Sequence, residues 1–361
     1  MSRKRILICP LNWGIGHASR CVPIINELLR QGQEVIIAAD KTPLHFLQEA
    51  FPKLEFLIFP GFEPQYSSRK TQLFKTLTSI PALANTAIKD HKLLEYLVKA
   101  HHIDAVISDN RFGAYSNQVP SVFITHQLHI SLPGLTILAR PFVDGLNKYF
   151  IQRYSTCWIP DYESDPNLSG KLSHPAPSEI NTVYIGPLSR FPQPGPKTTS
   201  TKKFDLLILL SGPEPQRSML ETKIINMIHR LSLNICILRG KPGSKQTLKQ
   251  TQNLKIYNHA SDKQIINLMN ASDLVLARSG YSTIMDLVVL NQKACFVPTP
   301  GQTEQEYLAR LMKDRGWFNY EDQESFDITN ILSTSNAYAP PKLPDATQRL
   351  KIVVENWIMS L

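Results

Sequence analysis

The sequence predicts two doubly wound α/β domains in series, and three observations carry that expectation. The chain has 361 residues, more than one hydrophobic core organises and comfortable for two. Short apolar, β-branched runs alternate with helix-length segments, and the series occurs twice. Between the two series lies GPLSRFPQPGPKTTSTKK, residues 186–203, a proline-rich stretch without periodicity that reads as a linker.

In the first series the strand candidates are ILIC (6–9), VIIA (35–38), FLIF (56–59), AVIS (105–108) and VFIT (122–125). In the second they are LLILL (206–210), ICIL (235–238), LVLA (274–277) and CFVP (295–298). Runs this short, apolar throughout, suit strands of a parallel sheet covered on both faces. Residues 18–31, 214–231, 261–271 and 280–290 have helix length, and 160–180 is irregular before the last strand of the first domain. The expected division is therefore 1–185 as the first domain, 186–203 as the linker and 204–343 as the second domain. The end, 344–361, places Leu350, Val353, Val354, Trp357 and Ile358 at helical spacing, an amphipathic helix expected to pack back on the first domain.

Composition narrows the class. Hydrophobic residues make up 42% and charged residues 19%, the balance of a globular protein. The net charge of +9 is spread over both halves, which argues against a nucleic-acid-binding tail. It fits an enzyme that handles anionic ligands or touches an acidic membrane surface. Cys9, Cys21, Cys157, Cys236 and Cys295 form no CxxC and mostly sit in apolar runs, as reduced core thiols do. The basic N-terminus leads into an apolar run that ends at Asn12, too short for a signal peptide. With no stretch of transmembrane length, the expectation is a cytoplasmic protein.

The first strand ends in Pro10-Leu11-Asn12-Trp13-Gly14-Ile15-Gly16-His17 and runs into a helix. Gly14 and Gly16 let backbone approach a ligand, and a helix start offers free N–H groups. A dinucleotide fingerprint needs a third glycine where Ser19 stands, so a nicotinamide site is not indicated. Ligands of open α/β sheets gather beyond the carboxyl ends of the strands, where His17 falls, and a histidine there can act as general base. The alternative is a histidine packing on its own helix. Asp109 follows AVIS and His126 follows VFIT, so a parallel sheet brings both to the edge of His17.

The second domain offers Ser211-Gly212-Pro213-Glu214-Pro215-Gln216-Arg217 after its first strand, a turn that can surround a phosphate, with Arg217 as counter-charge. The strongest local signal is Arg278-Ser279-Gly280-Tyr281-Ser282-Thr283-Ile284-Met285-Asp286, again a strand-to-helix turn. Here Ser279 is expected to cap the helix, Gly280 leaves room for a phosphate, and Thr283 lies between them and Asp286. The Asp286 carboxylate is placed to bond a ribose diol. An acidic residue at a positive helix end is the alternative, weakened because Asp286 is too distant for a capping box. Thr299-Pro300-Gly301-Gln302-Thr303-Glu304-Gln305-Glu306 then supplies side chains that hydrogen-bond sugar hydroxyls or simply open a solvated helix.

In this order the motifs resemble glycosyltransferase family 28, the group that contains the peptidoglycan N-acetylglucosaminyltransferase. The resemblance spans most of residues 5–315 as separate motifs. It implies the GT-B architecture: two Rossmann-like domains facing across a cleft, the first for the acceptor and the second for a UDP-sugar donor. The family's glycine-rich loop ending in His corresponds to Asn12–His17, with one glycine fewer. Its Arg-Ser-Gly turn and ribose-binding acid correspond to Arg278, Ser279, Gly280 and Asp286, where Asp replaces the usual Glu. Ser211 and Gly212 correspond to the diphosphate loop, and Arg190 to the Arg closing the interdomain strand unit. Gln305 and Glu306, next to Glu304, meet the final Gln pair that reads the donor sugar.

The resemblance implies an inverting single displacement with no cofactor and no metal; the chain has no Asp-x-Asp clamp. It also implies a lipid or small-molecule acceptor, and no nucleic acid. Two rival readings use the same residues. GxGHxxR, Gly14 to Arg20, looks like the loop of a UDP-sugar hydrolase of nonulosonic acid biosynthesis, which passes the sugar to water. A non-catalytic nucleotide-sugar binding protein would keep Arg278–Asp286 and leave His17 idle. Finally, residues 68–99 mix Arg69, Lys70, Lys75, Lys89, Lys92 and Lys99 with Leu73, Phe74, Leu77, Ile80, Leu83 and Ile88. Such a segment could lie on an anionic bilayer, making the protein peripheral on the cytoplasmic face, or simply cover a sheet.

Overall fold

The computed structural model describes residues 3–61, 80–132, 138–192, 202–229, 231–241, 244 and 250–361, with backbone only for 80–83. The chain divides into two compact units. One holds the described residues up to Arg190 together with Pro344–Leu361; the other is Phe191–Leu343.

The first unit is a seven-stranded sheet, all pairings parallel, in the order β3-β2-β1-β4-β5-β6-β7. Its strands are β1 (Arg5–Pro10), β2 (Glu34–Ala39), β3 (Glu55–Ile58), β4 (Ala105–Asp109), β5 (Ser121–Ile124), β6 (Thr156–Ile159) and β7 (Thr182–Tyr184). Its helices are α1 (Ile15–Arg30), α2 (Lys41–Ala50), α3 (Ile80–Ala100), α4 (Arg140–Ile151) and, from the chain's end, α10 (Thr347–Met359). The central strands are buried end to end, because helices cover both faces. On one face Leu7, Cys9, Ile36 and Val106 pack with Leu94, Leu97 and Val98 of α3.

Helix α10 packs against α1 and buries Leu350, Val353, Val354, Trp357 and Ile358, the face its sequence spacing marks. Trp357 meets Trp158 of β6 edge-on at 5.4 Å. The chain enters α10 past Gly186, whose φ of +78° suits glycine and whose added Cβ would stand 2.3 Å from Ala346 Cβ. No other residue fits that crossing.

The second unit repeats the plan with six parallel strands in the order β10-β9-β8-β11-β12-β13. They are β8 (Phe204–Leu209), β9 (Ile235–Leu238), β10 (Leu254–Tyr257), β11 (Ser272–Ala277), β12 (Ala294–Phe296) and β13 (Asn319–Tyr320). Helices α5 (Gln216–Ile228), α6 (Asp262–Asn270), α7 (Tyr281–Val289), α8 (Thr303–Asp314) and α9 (Ile328–Thr334) complete it. β8, β9, β11 and β12 share a core with α5, in which Leu206, Ile208, Ile224, Ile237 and Leu276 are buried.

In each sheet the strand order reverses at one place: between β1 and β4, and between β8 and β11. Such switch points are where open α/β sheets bind ligands. Strands β6, β10 and β13 were not among the sequence candidates. All five cysteines are free and buried, and burial pushes the Cys9 thiol up to about 12, so it stays neutral. Among the described residues no helix is long and apolar enough to cross a membrane. Of the basic segment 68–99, residues 68–79 and the side chains of 80–83 lie outside the described residues. On α3 itself Ile88, Lys89, Lys92, Tyr96 and Lys99 are exposed.

Candidate active site

Register builds the first edge. Pro10 pairs with Asp109, and Asp109 with Ile124, so the ends of β1, β4 and β5 stand level. Gly14 precedes α1, whose first turn contains Gly16 and His17; the Gly16 carbonyl accepts the Ser19 hydroxyl at 2.9 Å. His17 Nδ1 lies 2.7 Å from Asp109 Oδ1. Asp109 has no solvent exposure, whereas the His17 side chain retains 16%. Of the pair, only His17 can meet a substrate.

Two further groups close the network. Arg20 spans both carboxylate oxygens of Asp109 through Nε and Nη2. Its Nη1 stands 3.3 Å from His126 Nδ1. The three expected residues are thus brought together, His17 and Asp109 directly and His126 through Arg20, which the sequence shows as part of a loop motif. His126 is 5% exposed.

The electrostatics follow from this packing. Burial lowers the His17 imidazole below its usual value and the Arg20 charge lowers it further, against the pull of Asp109. Burial alone would raise the Asp109 carboxyl; the charges of Arg20 and His17 outweigh it and hold Asp109 below the usual range. The result is an ionised Asp109 beside a neutral His17 at neutral pH.

The second edge is built from backbone. Ser211 and Gly212 are exposed between β8 and α5, and Gly212 has a φ of +97°, a region that strains any side chain. Arg278, 1% exposed, donates Nη1 to the carbonyls of Val297 and Pro298 at 2.9 and 3.1 Å, and Nη2 to Gln216 O at 3.1 Å. Burial lowers its guanidinium to about 10, still charged at neutral pH. This arginine therefore fastens three loops to one another, a role beyond the expected ligand contact. Among the described residues its Nε and Thr299 Oγ1 are buried without partners. They lie 4.0 and 3.6 Å from where a Gly212 side chain would begin. In the sequence Thr299 is marked only as the first residue of the stretch 299–306.

Several expected residues take other positions. Ser279 does not cap α7: Gly280 occupies the cap, and the Ser279 hydroxyl donates to Gln305 O at 2.7 Å. Arg217 is turned inward, donating to Arg239 O at 3.0 Å and paired with Glu214, so its charge is already matched. Gln305 accepts the Thr299 amide at 2.9 Å through its side chain, bracing the loop before α8. Glu306 does the same for the Gly301 amide at 2.9 Å. Glu304 lies half-buried in the first turn of α8, and Thr283 and Asp286 half-buried on α7. Arg190 closes the first unit, its guanidinium 5.6 Å over the Phe46 ring.

The chain is similar to known proteins over most of its length. A transferase of Buchnera aphidicola subsp. Schizaphis graminum is 26% identical over 95% of this chain and 92% of its own. It is the UDP-N-acetylglucosamine–N-acetylmuramyl-(pentapeptide) pyrophosphoryl-undecaprenol N-acetylglucosamine transferase. Among solved structures, the spinosyn rhamnosyltransferase SpnG superposes with a TM-score of 0.63 at 15% identity, covering 99% of this chain and 96% of its own. MurG of Acinetobacter baumannii gives 0.55 at 14% identity, with 98% and 99% covered. These likenesses show the fold. The chain is a glycosyltransferase of the GT-B fold. Residues 214–349 match the family model of the glycosyltransferase family 28 C-terminal domain.

Proposed function

We propose that this glycosyltransferase moves a hexosyl group, with N-acetylglucosamine the first candidate, from a UDP-sugar to a hydroxyl of a lipid or small-molecule acceptor. The observation that supports it is His17, the one solvent-reaching member of a buried charged network at a switch point. His17 Nε2 takes the acceptor's proton while Nδ1–H donates to Asp109. The acceptor oxygen forms its bond to the anomeric carbon as the bond to UDP breaks, and the sugar inverts. Asp109, wholly buried, acts behind His17, and His126 behind both; neither replaces it as base.

The second unit holds the donor in this reading. Asp286 takes the ribose diol, and the turns at Ser211–Gly212 and Ser279–Gly280 offer helix N-termini to the diphosphate. The charge that develops on UDP is met by these dipoles and by Arg278, without a divalent metal. Glu304, half-buried in the first turn of α8, is the side chain offered to the donor sugar, while Gln305 holds the loop beside it. The exposed Ile88, Lys89, Lys92, Tyr96 and Lys99 of α3 favour docking on an anionic membrane surface, where a lipid acceptor is met. Salt-sensitive sedimentation with anionic vesicles, weakened by Lys89→Glu with Lys92→Glu, tests that part.

The chemistry is tested by assaying UDP-sugars against lipid and small-molecule acceptors with EDTA present. His17→Ala should lower turnover by about 10²–10⁴-fold and leave donor affinity unchanged. Full-rate release of free sugar with no acceptor would make the protein a hydrolase, the reading the GxGHxxR loop also allows.

A further inference from the structure

Arg20 has no place in the reaction as written, yet it is the most heavily engaged side chain of the first edge. It is 2% exposed and lies at i+3 from His17 on α1, so the two side chains share one helix face. Its Nε and Nη2 bind the two Asp109 oxygens, its Nη2 stands 2.9 Å from His17 Nδ1, and its Nη1 faces His126. We propose that Arg20 is a positioning residue for the base: it clamps Asp109 so that His17 donates through Nδ1 and turns a bare Nε2 to the substrate. The proposal rests on His17 being the base.

The argument is one of donors and charge. A guanidinium only donates. If His17 Nδ1 accepted from Arg20, the ring proton would sit on Nε2 and the base would be lost. The shorter approach of Nδ1 to Asp109, 2.7 Å, fits the other tautomer. That tautomer needs Asp109 held still and ionised, which a bidentate guanidinium does. Charge is the second half. A buried carboxylate alone beside an imidazole favours the imidazolium, and an imidazolium accepts no proton. Arg20 cancels the Asp109 charge and adds repulsion of its own.

Among the described residues, two more titratable groups border this network, and both are compatible with that state. His126, reached from β5, meets Arg20 through Nδ1, and the Cys21 thiol, 3.8 Å from Asp109 on α1, is pushed up by burial and stays neutral.

Long-range nitrogen–proton NMR of the imidazoles tests the proposal without any substrate, with the His17 signals assigned by their loss in His17→Gln. In the unaltered protein His17 should be neutral at pH 7 and protonated on Nδ1. Arg20→Gln should move its titration midpoint upward, so that the ring is charged at pH 7. Arg20→Lys, which keeps the charge and loses the fork, should leave the midpoint low but mix the two tautomers. In turnover, Arg20→Gln should fall at least tenfold at pH 7 and recover as pH rises, with donor KM unchanged and Arg20→Lys intermediate. An unmoved midpoint in folded Arg20→Gln overturns the proposal. If that variant does not fold, the unaltered protein decides: His17 found charged at pH 7, or protonated on Nε2, overturns it equally. Should the spectra agree while His17→Ala keeps its turnover, the assignment of the base fails and the role of Arg20 as clamp stands.

Discussion

The two sheet edges share one topology and are built in opposite ways. At the edge of the first unit, four ionisable side chains bind one another: Arg20 to Asp109, Asp109 to His17, and Arg20 to His126. At the edge of the second, Arg278 gives both of its Nη groups to backbone, and Arg217 divides its donors between a backbone carbonyl and Glu214. Arg278 binds three carbonyls and Arg217 a fourth, while Gln305 and Glu306 hold loop amides. The first edge prepares a proton acceptor. The second fixes the shape of turns whose own N–H groups can face an anion. Topology chooses the place; what the buried charges bind decides the work done there.

If that contrast is right, charge removal should be severe at the first edge and leave the second untouched. Asp109→Asn keeps the size of the side chain but permits the wrong His17 tautomer. We expect turnover to fall by about 10⁴-fold, the scale seen when a buried carboxylate behind a catalytic histidine is amidated. UDP affinity, measured by calorimetry, should not change. An equal loss in UDP binding would mean the two edges are not separable.

The converse change belongs to the second edge. Asp286→Ala should weaken UDP binding by about 1.5–3 kcal/mol, the cost of one charge-assisted contact. The melting temperature should move little, since Asp286 is only half-buried on α7. Calorimetry giving the parent's affinity would remove Asp286 from the donor site. A preference for ADP over UDP would displace the donor assignment as a whole.

How much of this was legible beforehand depends on what each residue touches. The strands AVIS and LVLA announce themselves because both faces are buried, so their apolar runs are unbroken. β10 hides because it is a sheet edge with Tyr257 42% exposed, and β13 because it is two residues long. His17, Asp109 and His126 could be placed together from sequence, since a parallel sheet sends every strand end to one side. Arg20 could not be singled out. On a helix an arginine reads as surface charge until β4 is known to pass beneath it. Ser279 was misread for the related reason that its partner, Gln305 O, is brought near only by tertiary structure.

The mildest expected effect is the dependence of stability on pH, and it too separates the edges. Burial lowers the folded His17 below the ordinary imidazole value of 6.5, so the unfolded chain binds the proton more readily. Such a group contributes stability in full above about 6.5, and that contribution is lost as pH falls from there toward the folded value. Asp109 is likewise depressed below 3.8, so its share is present above that value and lost further into acid. Stability measured by urea unfolding should therefore decline in two stages on acidification. In the first stage His17 can add a slope of at most about 1.4 kcal/mol per pH unit, one proton's worth. Replacing His17 by Gln should flatten the decline just below pH 6.5 and leave the deeper acid stage in place. A first stage as steep in that variant as in the parent would show that His17 is not held neutral in the folded protein, and the contrast between the two edges would lose its electrostatic half.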